Sequence, residues 1–305
     1  MKTVVAHNLT KVYGKEKLLA VDDVSFSVDE GELFGLIGPD GAGKTSIFRM
    51  LTTLLLPDGG TGTVAGFDIV KDYKRIRSAV GYMPGKFSLY PDLTVEENLN
   101  FFATVFGTTI KENYHLIKDI YIQIERFKDR RAGKLSGGMK QKLALCCALI
   151  HKPVVLFLDE PTTGVDPVSR KEFWEMLKRL KQEGITIVVS TPYMDEATLC
   201  DRIALIQTGK ILSIDKPADI VNSYQEDLYA VKANNMFSLL KNLRSYENTI
   251  DSYAFGEYAH VSFRGVSDLS DVRKYLDDGG LQDIEIRSVQ PTIEDCFIKL
   301  LKNES

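Results

Sequence analysis

Residues 38–45, with the sequence GPDGAGKT, constrain this chain more than any other stretch. They match the pattern G-x-x-x-x-G-K-[ST], in which the glycines let backbone N–H groups face an anion without a side-chain clash. An apolar run at residues 32–37 precedes the loop, and the apolar residues over 46–55 repeat with helical spacing. A strand, a glycine loop and a helix therefore follow one another in the order that a phosphate-binding loop requires.

The predicted helix begins near Lys44 and directs the positive end of its dipole at the same anion. Lys44 is expected to reach the β- and γ-phosphates of a nucleotide, and the hydroxyl of Thr45 to bind Mg²⁺. We therefore predict that the chain binds ATP with Mg²⁺. The predicted nucleotide-binding residues are Gly38, Pro39, Asp40, Gly41, Ala42, Gly43, Lys44, Thr45 and Ser46.

A second apolar run, residues 154–158, is followed directly by Asp159 and Glu160. At the end of a buried parallel strand, both acids would lie at the carboxyl edge of the sheet, where α/β proteins bind ligands. Asp159 is expected to hold Mg²⁺ through a water molecule, and Glu160 to polarise the attacking water as a general base. Taken alone, the stretch also fits a strand followed by a solvated acidic turn.

Residues 135–141, LSGGMKQ, form a third pattern. Ser136 is predicted to cap a helix, and Gly137 and Gly138 leave the backbone N–H groups at its start open to a second anion. An ordinary capped helix is the alternative interpretation.

Length and composition limit the class of protein. A chain of 305 residues fits a main domain with a smaller one, and 44% hydrophobic and 26% charged residues are typical of a globular protein. The net charge of −4 provides no basic field, so no nucleic-acid partner is expected. The apolar runs are too short to cross a bilayer and the N-terminus has no signal-peptide pattern, so we expect a cytoplasmic chain. Cys146 and Cys147, in an apolar helical stretch, are predicted to be buried thiols.

The pattern of apolar residues predicts an α/β first domain. Residues 4–9 and 24–28 alternate as in antiparallel strands. The buried runs 154–158 and 185–190 flank a predicted helix at 167–182, which indicates a parallel core sheet.

Short strands alternate with short helices in the last part of the chain. We therefore predict domains at residues 1–222 and 223–305, the second a small α+β domain. His260 falls in a strand pattern of this tail, so a structural role is expected for it rather than a role as a ligand.

In combination, these patterns resemble the ATP-binding cassette (ABC) proteins over about residues 4–218. The phosphate loop, the LSGGMKQ segment, the Asp159-Glu160 pair and the stretch TGVD at 163–166 follow the family's order. The resemblance implies a P-loop NTPase cassette of α/β class, with a mixed core sheet, a helical subdomain at about 88–150 and an antiparallel β subdomain, before the C-terminal α+β domain. It further implies roles for Tyr13, stacking on adenine; for Leu135, Ser136, Gly137, Gly138, Met139 and Gln141, the signature that acts on a partner's ATP; and for Asp166, in the D-loop.

Cassettes of this family dimerise head to tail, so that each ATP lies between the phosphate loop of one chain and the signature helix of the other. Further stretches resemble the drug-efflux branch of the daunorubicin-exporter type: GYMP at 81–84, FSLY at 87–90, DLTVEENL at 92–99, YMDEA at 193–197 and, more weakly, PTIED at 291–295. This branch implies an exporter whose integral-membrane permease subunits are separate polypeptides. The chain would then be peripheral on the inner face of the cell membrane, held there by its partners.

Two positions depart from the family pattern. Gly85 stands where the family has a glutamine that touches Mg²⁺ and the attacking water, and Pro192 where it has a histidine that contacts the γ-phosphate. Glycine has no side chain and proline has no N–H donor, so we expect weak hydrolysis at the chain's own site and retained ATP binding. Lys86 and Tyr193 are candidate replacements; a solvated lysine and a packed tyrosine are the alternatives.

Three hypotheses follow. In the first, the chain pairs with a second, different cassette and completes that partner's active site through Ser136, Gly137 and Gly138. In the second, it is a slow homodimeric transporter ATPase rescued by Glu160. In the third, it is a soluble regulator or nucleic-acid-handling cassette, which the acidic charge and the efflux-type tail disfavour.

Overall fold

The computed structural model of the chain describes residues 1–86, 88–265 and 268–303. Phe87, which contributes to the drug-efflux resemblance, lies outside the described residues. The chain divides into two compact units, Met1–Ala218 and Asp219–Ser305.

The strands and helices of residues 1–222 alternate as an α/β chain. In order they are β1 (Lys2–Tyr13), β2 (Leu18–Asp29), β3 (Leu33–Ile37), α1 (Lys44–Leu51), β4 (Gly59–Val64), β5 (Phe67–Asp68), α2 (Tyr73–Ala79), β6 (Val80–Met83), α3 (Val95–Val105), α4 (Ile110–Tyr121), α5 (Gly137–Leu149), β7 (Val155–Asp159), α6 (Pro167–Gln182), β8 (Thr186–Thr191), β9 (Arg202–Gln207), β10 (Lys210–Asp215) and α7 (Pro217–Asn222).

Two sheets organise the first unit. The larger is a six-stranded sheet in the order β10-β9-β3-β8-β7-β6, in which β10 is antiparallel to β9 and the other neighbours are parallel. The smaller is an antiparallel sheet in the order β2-β1-β4-β5. The predicted mixed core sheet and antiparallel β subdomain are therefore confirmed.

Apolar side chains from both sheets and from α1 pack into one core. The rings of Phe26 in β2 and Phe34 in β3 stack with centroids 5.4 Å apart. Phe48 in α1 meets Phe157 in β7 edge-on, at 5.6 Å. All four rings are buried, and burial of one such side chain contributes about 1.5–3 kcal/mol. This packing holds α1, and the glycine loop before it, against the core strands.

Three helices, α3, α4 and α5, lie in the segment predicted to be helical. The starts of α3 and α4 carry reciprocal capping boxes, Thr94 with Glu97 and Thr109 with Glu112. Each cap satisfies backbone N–H groups that would otherwise lack partners, which is worth about 1 kcal/mol. Among the described residues, no helix combines the length and the apolarity needed to cross a membrane.

The helix after the glycine loop begins at Lys44, as predicted, but ends at Leu51, before the expected residue 55. Thr53 has a φ of 64°, which takes the chain out of the helix. The amides of Leu54 and Leu55 then both bond to the carbonyl of Arg49.

The second unit is built on one antiparallel sheet, in the order β12-β13-β11-β14. Its elements are β11 (Leu228–Lys232), α8 (Met236–Ser245), β12 (Thr249–Phe255), β13 (Tyr258–Phe263), α9 (Leu269–Asp278), β14 (Glu285–Val289) and α10 (Ile293–Asn303).

Asp295 in α10 is fully buried and joins that helix to the sheet of the second unit. One carboxylate oxygen accepts hydrogen bonds from the amide and the hydroxyl of Thr292, both at 2.7 Å. The other accepts from Nδ1 of His260 at 2.6 Å and from the hydroxyl of Tyr253 at 2.7 Å. Burial opposes ionisation, but these hydrogen bonds outweigh it and lower the pKa of Asp295. Asp295 of the PTIED stretch thus holds α10 against the sheet, and His260 is one of the residues to which it is hydrogen-bonded.

The four cysteines, Cys146, Cys147, Cys200 and Cys296, are buried and free, as predicted for the first two. Burial raises the pKa of every one of these thiols, and that of Cys296 to about 11. Thiols of this kind are packing groups rather than nucleophiles.

Candidate nucleotide-binding site

The carboxyl ends of four parallel strands converge at one edge of the core sheet. β3 leads into the glycine loop, β6 towards Gly85, β7 into Glu160 and β8 into Pro192. Asp159, at the end of β7, lies directly opposite Ser190 in β8. Groups far apart in sequence therefore meet at the edge where α/β proteins bind ligands.

Glycines allow the loop at residues 38–45 to lie in close contact with the neighbouring backbone. Gly41 and Gly43 have φ values of 80° and 102°, in the left-handed region that favours glycine. A methyl group on Gly43 would lie 2.4 Å from the carbonyl oxygen of Ala20, and one on Gly38 would lie 2.1 Å from that of Ile206. A side chain at Gly38 or Gly43 would therefore require the surrounding backbone to move.

Lys44, the first residue of α1, is only 3% exposed. Its ammonium donates to the carbonyl oxygens of Gly38 at 2.7 Å and Pro39 at 2.9 Å. Oε1 of Glu160 is 3.0 Å away. The lysine thus ties the start of the loop to the carboxylate that follows β7.

The two adjacent acids have different surroundings. Asp159 is 2% exposed, and its carboxylate accepts a hydrogen bond from the Ser190 hydroxyl at 2.7 Å. The same hydroxyl accepts from the amide of Glu160 at 3.0 Å. The Glu160 side chain is 22% exposed, and its φ of 49° is an unusual backbone conformation of the kind found at functional sites. Ser190, which sequence reasoning did not single out, therefore bridges both acids.

A cavity at the loop brings most of the predicted nucleotide-binding residues together. It is lined by Ala20, Gly41, Ala42, Gly43, Lys44, Thr45, Ser46 and Glu160. The hydroxyl of Tyr13, at the end of β1, lies 3.1 Å from that of Ser46, so the predicted adenine-stacking ring is beside the start of α1.

This lining fits the phosphate groups of ATP, because it combines the buried Lys44 with the start of a helix that follows a glycine loop free of bulky side chains. Thr45 and Asp159 are the residues that would hold Mg²⁺. Bound there, the metal would neutralise phosphate charge.

The signature residues 135–141 do not line this cavity in the described part of the chain. Ser136 caps α5, and its hydroxyl accepts from the amide of Met139 at 3.4 Å. Leu135 is buried beneath it, whereas Ser136 and Gly137 are exposed. The predicted signature helix therefore presents its start to solvent.

The start of α5 packs against the turn that leads into α6. A methyl group on Gly138 would lie 2.8 Å from the hydroxyl of Ser169 in α6, and one on Gly137 would lie 3.6 Å from the carbonyl of Gly164. Asp166 caps α6 by accepting from the amides of Val168 and Ser169, and these bonds lower its pKa. The predicted signature and D-loop are therefore neighbours within one chain.

The two departures from the family pattern lie at the same sheet edge. Gly85 is so close to the end of β7 that a methyl group on it would be 3.0 Å from the carbonyl oxygen of Asp159. Pro192 follows β8 and supplies no donor. Lys86 is exposed, and the ring of Tyr193 lies beneath the Arg170 guanidinium at 3.9 Å.

Comparisons with known proteins identify the family. A family model described as ABC transporter matches residues 21–163. The Daunorubicin resistance ATP-binding protein DrrA2 of Streptomyces coeruleorubidus is 34% identical over 307 residues, covering 97% of this chain and 94% of that protein. The chain is an ABC transporter ATP-binding protein.

This ABC cassette is also 39% identical over 287 residues to the Probable multidrug ABC transporter ATP-binding protein YbhF of Escherichia coli (strain K12). The match covers 92% of the chain but 49% of YbhF, so the chain spans about half the length of that relative. Among solved structures, a dimeric post-hydrolysis state of the ATP-binding cassette MJ0796, bound to ADP and Pi, matches with a TM-score of 0.63. That match is 26% identical and covers 70% of this chain and 98% of the other, which confirms the predicted cassette fold.

Replacing Gly43 with alanine is expected to weaken ATP binding about tenfold or more. The methyl group would meet the Ala20 carbonyl, and the left-handed backbone adds strain of about 1–3 kcal/mol. Gly66→Ala is the matched control, because Gly66 has a φ of 79° with no atom within 4 Å of an added methyl group. Titration with a fluorescent ATP analogue gives the Kd of each variant, and thermal unfolding checks that each is folded. A folded Gly43→Ala protein with wild-type affinity would contradict this account of the loop.

Proposed function

We propose that this ABC cassette is the ATP-binding subunit of an exporter of drug-like compounds, coupled to separate integral-membrane permease subunits. The observation that carries the proposal is that a complete phosphate loop, which includes Lys44, lies at the same sheet edge as Asp159 and Glu160. The names of DrrA2 and YbhF favour drug export. In this assembly the chain acts at the inner face of the cell membrane, where the permease subunits hold it.

The chain's own site hydrolyses ATP weakly in this proposal, although it binds ATP well. Glu160 serves as the general base, and its ion pair with Lys44 places it beside the phosphate loop. Gly85 and Pro192, however, place no side-chain donor beside it. Loss of one donor that acts in the transition state typically slows a reaction roughly a hundred- to a thousandfold.

The weak site favours pairing with a second, different cassette. Ser136, Gly137 and Gly138 are intact and form the exposed start of a capped helix, the part that acts across a cassette dimer. In such a heterodimer the chain completes its partner's active site while ATP at its own loop holds the dimer together. The Lys44–Glu160 pair supports the second candidate, a slow homodimer in which Glu160 still acts.

Restoring both missing groups tests the weak site. We expect Gly85→Gln with Pro192→His to raise steady-state ATPase activity of the purified chain, towards the roughly hundred- to thousandfold that one such donor is worth. Gly85→Ala with Pro192→Ala is the control, because it adds the same crowding at the Asp159 carbonyl, removes the same ring and restores the same backbone N–H at residue 192 without supplying the two side chains. A wild-type rate already typical of exporters, and unchanged by restoration, would remove the claim of a weak site.

Changing the signature tests the pairing. Ser136→Arg in the assembled transporter should abolish substrate transport, since it blocks the helix start offered to the partner's ATP. Thr109→Arg is the control: Thr109 also caps a helix through its hydroxyl, but outside the signature. Transport is the measurement, with ATP binding at the chain's own loop followed in parallel. If transport survives Ser136→Arg, the chain supplies no signature to an active partner site.

An apolar groove beside Gly85 is the surface that we assign to the permease subunits. It has a volume of about 230 Å³, and its lining includes Leu54, Pro84, Phe102, Phe106 and His151. The imidazole of His151 stacks on Phe106 with centroids 3.7 Å apart, and burial lowers its pKa. Leu54 and, outside the lining, Phe101 expose 55% and 39% of their surface. An apolar segment of a permease subunit would cover this surface, next to the loop that carries Gly85.

Leu54→Asp is expected to prevent co-purification with the permease subunits while the Kd for ATP stays unchanged. The charge would enter an apolar contact, and Leu54 is exposed enough for the fold to tolerate it. Leu18→Asp is the matched control, because Leu18 is 67% exposed but lies in β2, outside the groove. An intact complex carrying Leu54→Asp would place the permease contact elsewhere.

A further inference from the structure

Glu196 is a buried carboxylate that the nucleotide site does not explain. It lies in a short 3-10 helix, Met194–Leu199, and is 2% exposed. Burying a charge is costly unless it is paired and hydrogen-bonded, so its partners are informative.

One oxygen of Glu196 joins two loops of the nucleotide site. Oε2 accepts a hydrogen bond from the hydroxyl of Thr191 at 2.5 Å and another from that of Thr162 at 3.1 Å. Thr191 is the last residue of β8, directly before Pro192, and Thr162 is in the turn that begins at Glu160. A single buried oxygen thus fixes the general base's loop relative to the loop after β8.

The other oxygen faces α6. Oε1 lies 3.6 Å from Nε of Arg170. The two side chains form an ion pair, but this distance is too long for a hydrogen bond. Arg170 is one turn after Asp166, the cap of α6, and its guanidinium covers the ring of Tyr193. Helix α6, which begins after the predicted D-loop residue Asp166, therefore supplies the countercharge for the Glu196 carboxylate.

The geometry points to Glu196 as a positioning residue for hydrolysis: through Thr162 and Thr191 it sets the place of Glu160 beside residue 192, and through Arg170 it links that place to the D-loop. This inference rests on the proposal that Glu160 is the general base. In this role Glu196 does not touch the nucleotide, so the affinity for ATP should not depend on Glu196. The effect belongs to the hydrolytic step, where a misplacement of about 1 Å can cost a hundredfold.

Single-turnover hydrolysis with excess protein separates positioning from stability. Thr162→Val and Glu196→Gln should each lower the rate constant roughly ten- to a hundredfold, while the Kd for ATP stays within about twofold. Thr162→Val removes one hydrogen bond, and Glu196→Gln keeps an acceptor but removes the charge opposite Arg170. Glu196→Leu, which removes the acceptor as well, should be slower still. Thr198→Val, an exposed change in the same short helix, should alter neither quantity.

Amide hydrogen exchange provides a second measurement that requires no hydrolysis. Glu196→Gln should speed exchange in both residues 160–165 and 191–196, with no change for Thr198→Val. Rates unchanged by Thr162→Val and Glu196→Gln, or exchange that rises in only one segment, would overturn the positioning role. A rate unchanged by Glu160→Gln would instead overturn the general base of the proposed function, and exchange alone would then decide whether Glu196 joins the loops.

Discussion

The ammonium of Lys44 is buried, and the organisation of the nucleotide site depends on the partners that this burial requires. It donates to the carbonyls of Gly38 and Pro39 and pairs with Glu160, so one charge joins both ends of the loop to the strand end that carries the acids. Removing one partner of a buried ion pair leaves an uncompensated charge, at a cost of about 3–5 kcal/mol. The loop, α1 and the end of β7 are therefore coupled, and the aromatic core beneath them keeps α1 in place.

Sequence reasoning succeeded where the signal is local. The helix predicted at residues 167–182 is the observed α6, because Asp166 caps it and Pro167 occupies its first position. The glycine loop is equally readable, since its strand, turn and helix are contiguous. β4 was missed because its sequence, GGTGTV, lacks the alternation of a half-buried strand; its register comes from pairing with β1. Ser190 and Glu196 were missed for a related reason, since each has one partner more than thirty residues away: Asp159 for Ser190 and Thr162 for Glu196.

The two departures from the family pattern differ in physical character. Pro192 removes a donor, and its effect is chemical. Gly85 also permits a close approach, because the loop after β6 passes so near the Asp159 carbonyl that even a methyl group would crowd it at 3.0 Å. A side chain at this position would require the Asp159 carbonyl to move by about a few tenths of an ångström. The weakness proposed for this site is therefore mainly a loss of side-chain groups, and the close approach at Gly85 adds a small packing cost to restoring one of them.

Helix α6 connects the parts of the cassette that remain intact. Its first turn, capped by Asp166, packs against the glycines of the signature, and its next turn brings Arg170 to Glu196. The start of the predicted signature helix and the loops around Glu160 are thus attached to the same helix. In the proposed dimer, a shift of α6 on closure would reach both. Pro192 lies within this connection, between Thr191, which bonds to Glu196, and Tyr193, whose ring Arg170 covers, so the loop that lacks the family's histidine is held by the same helix.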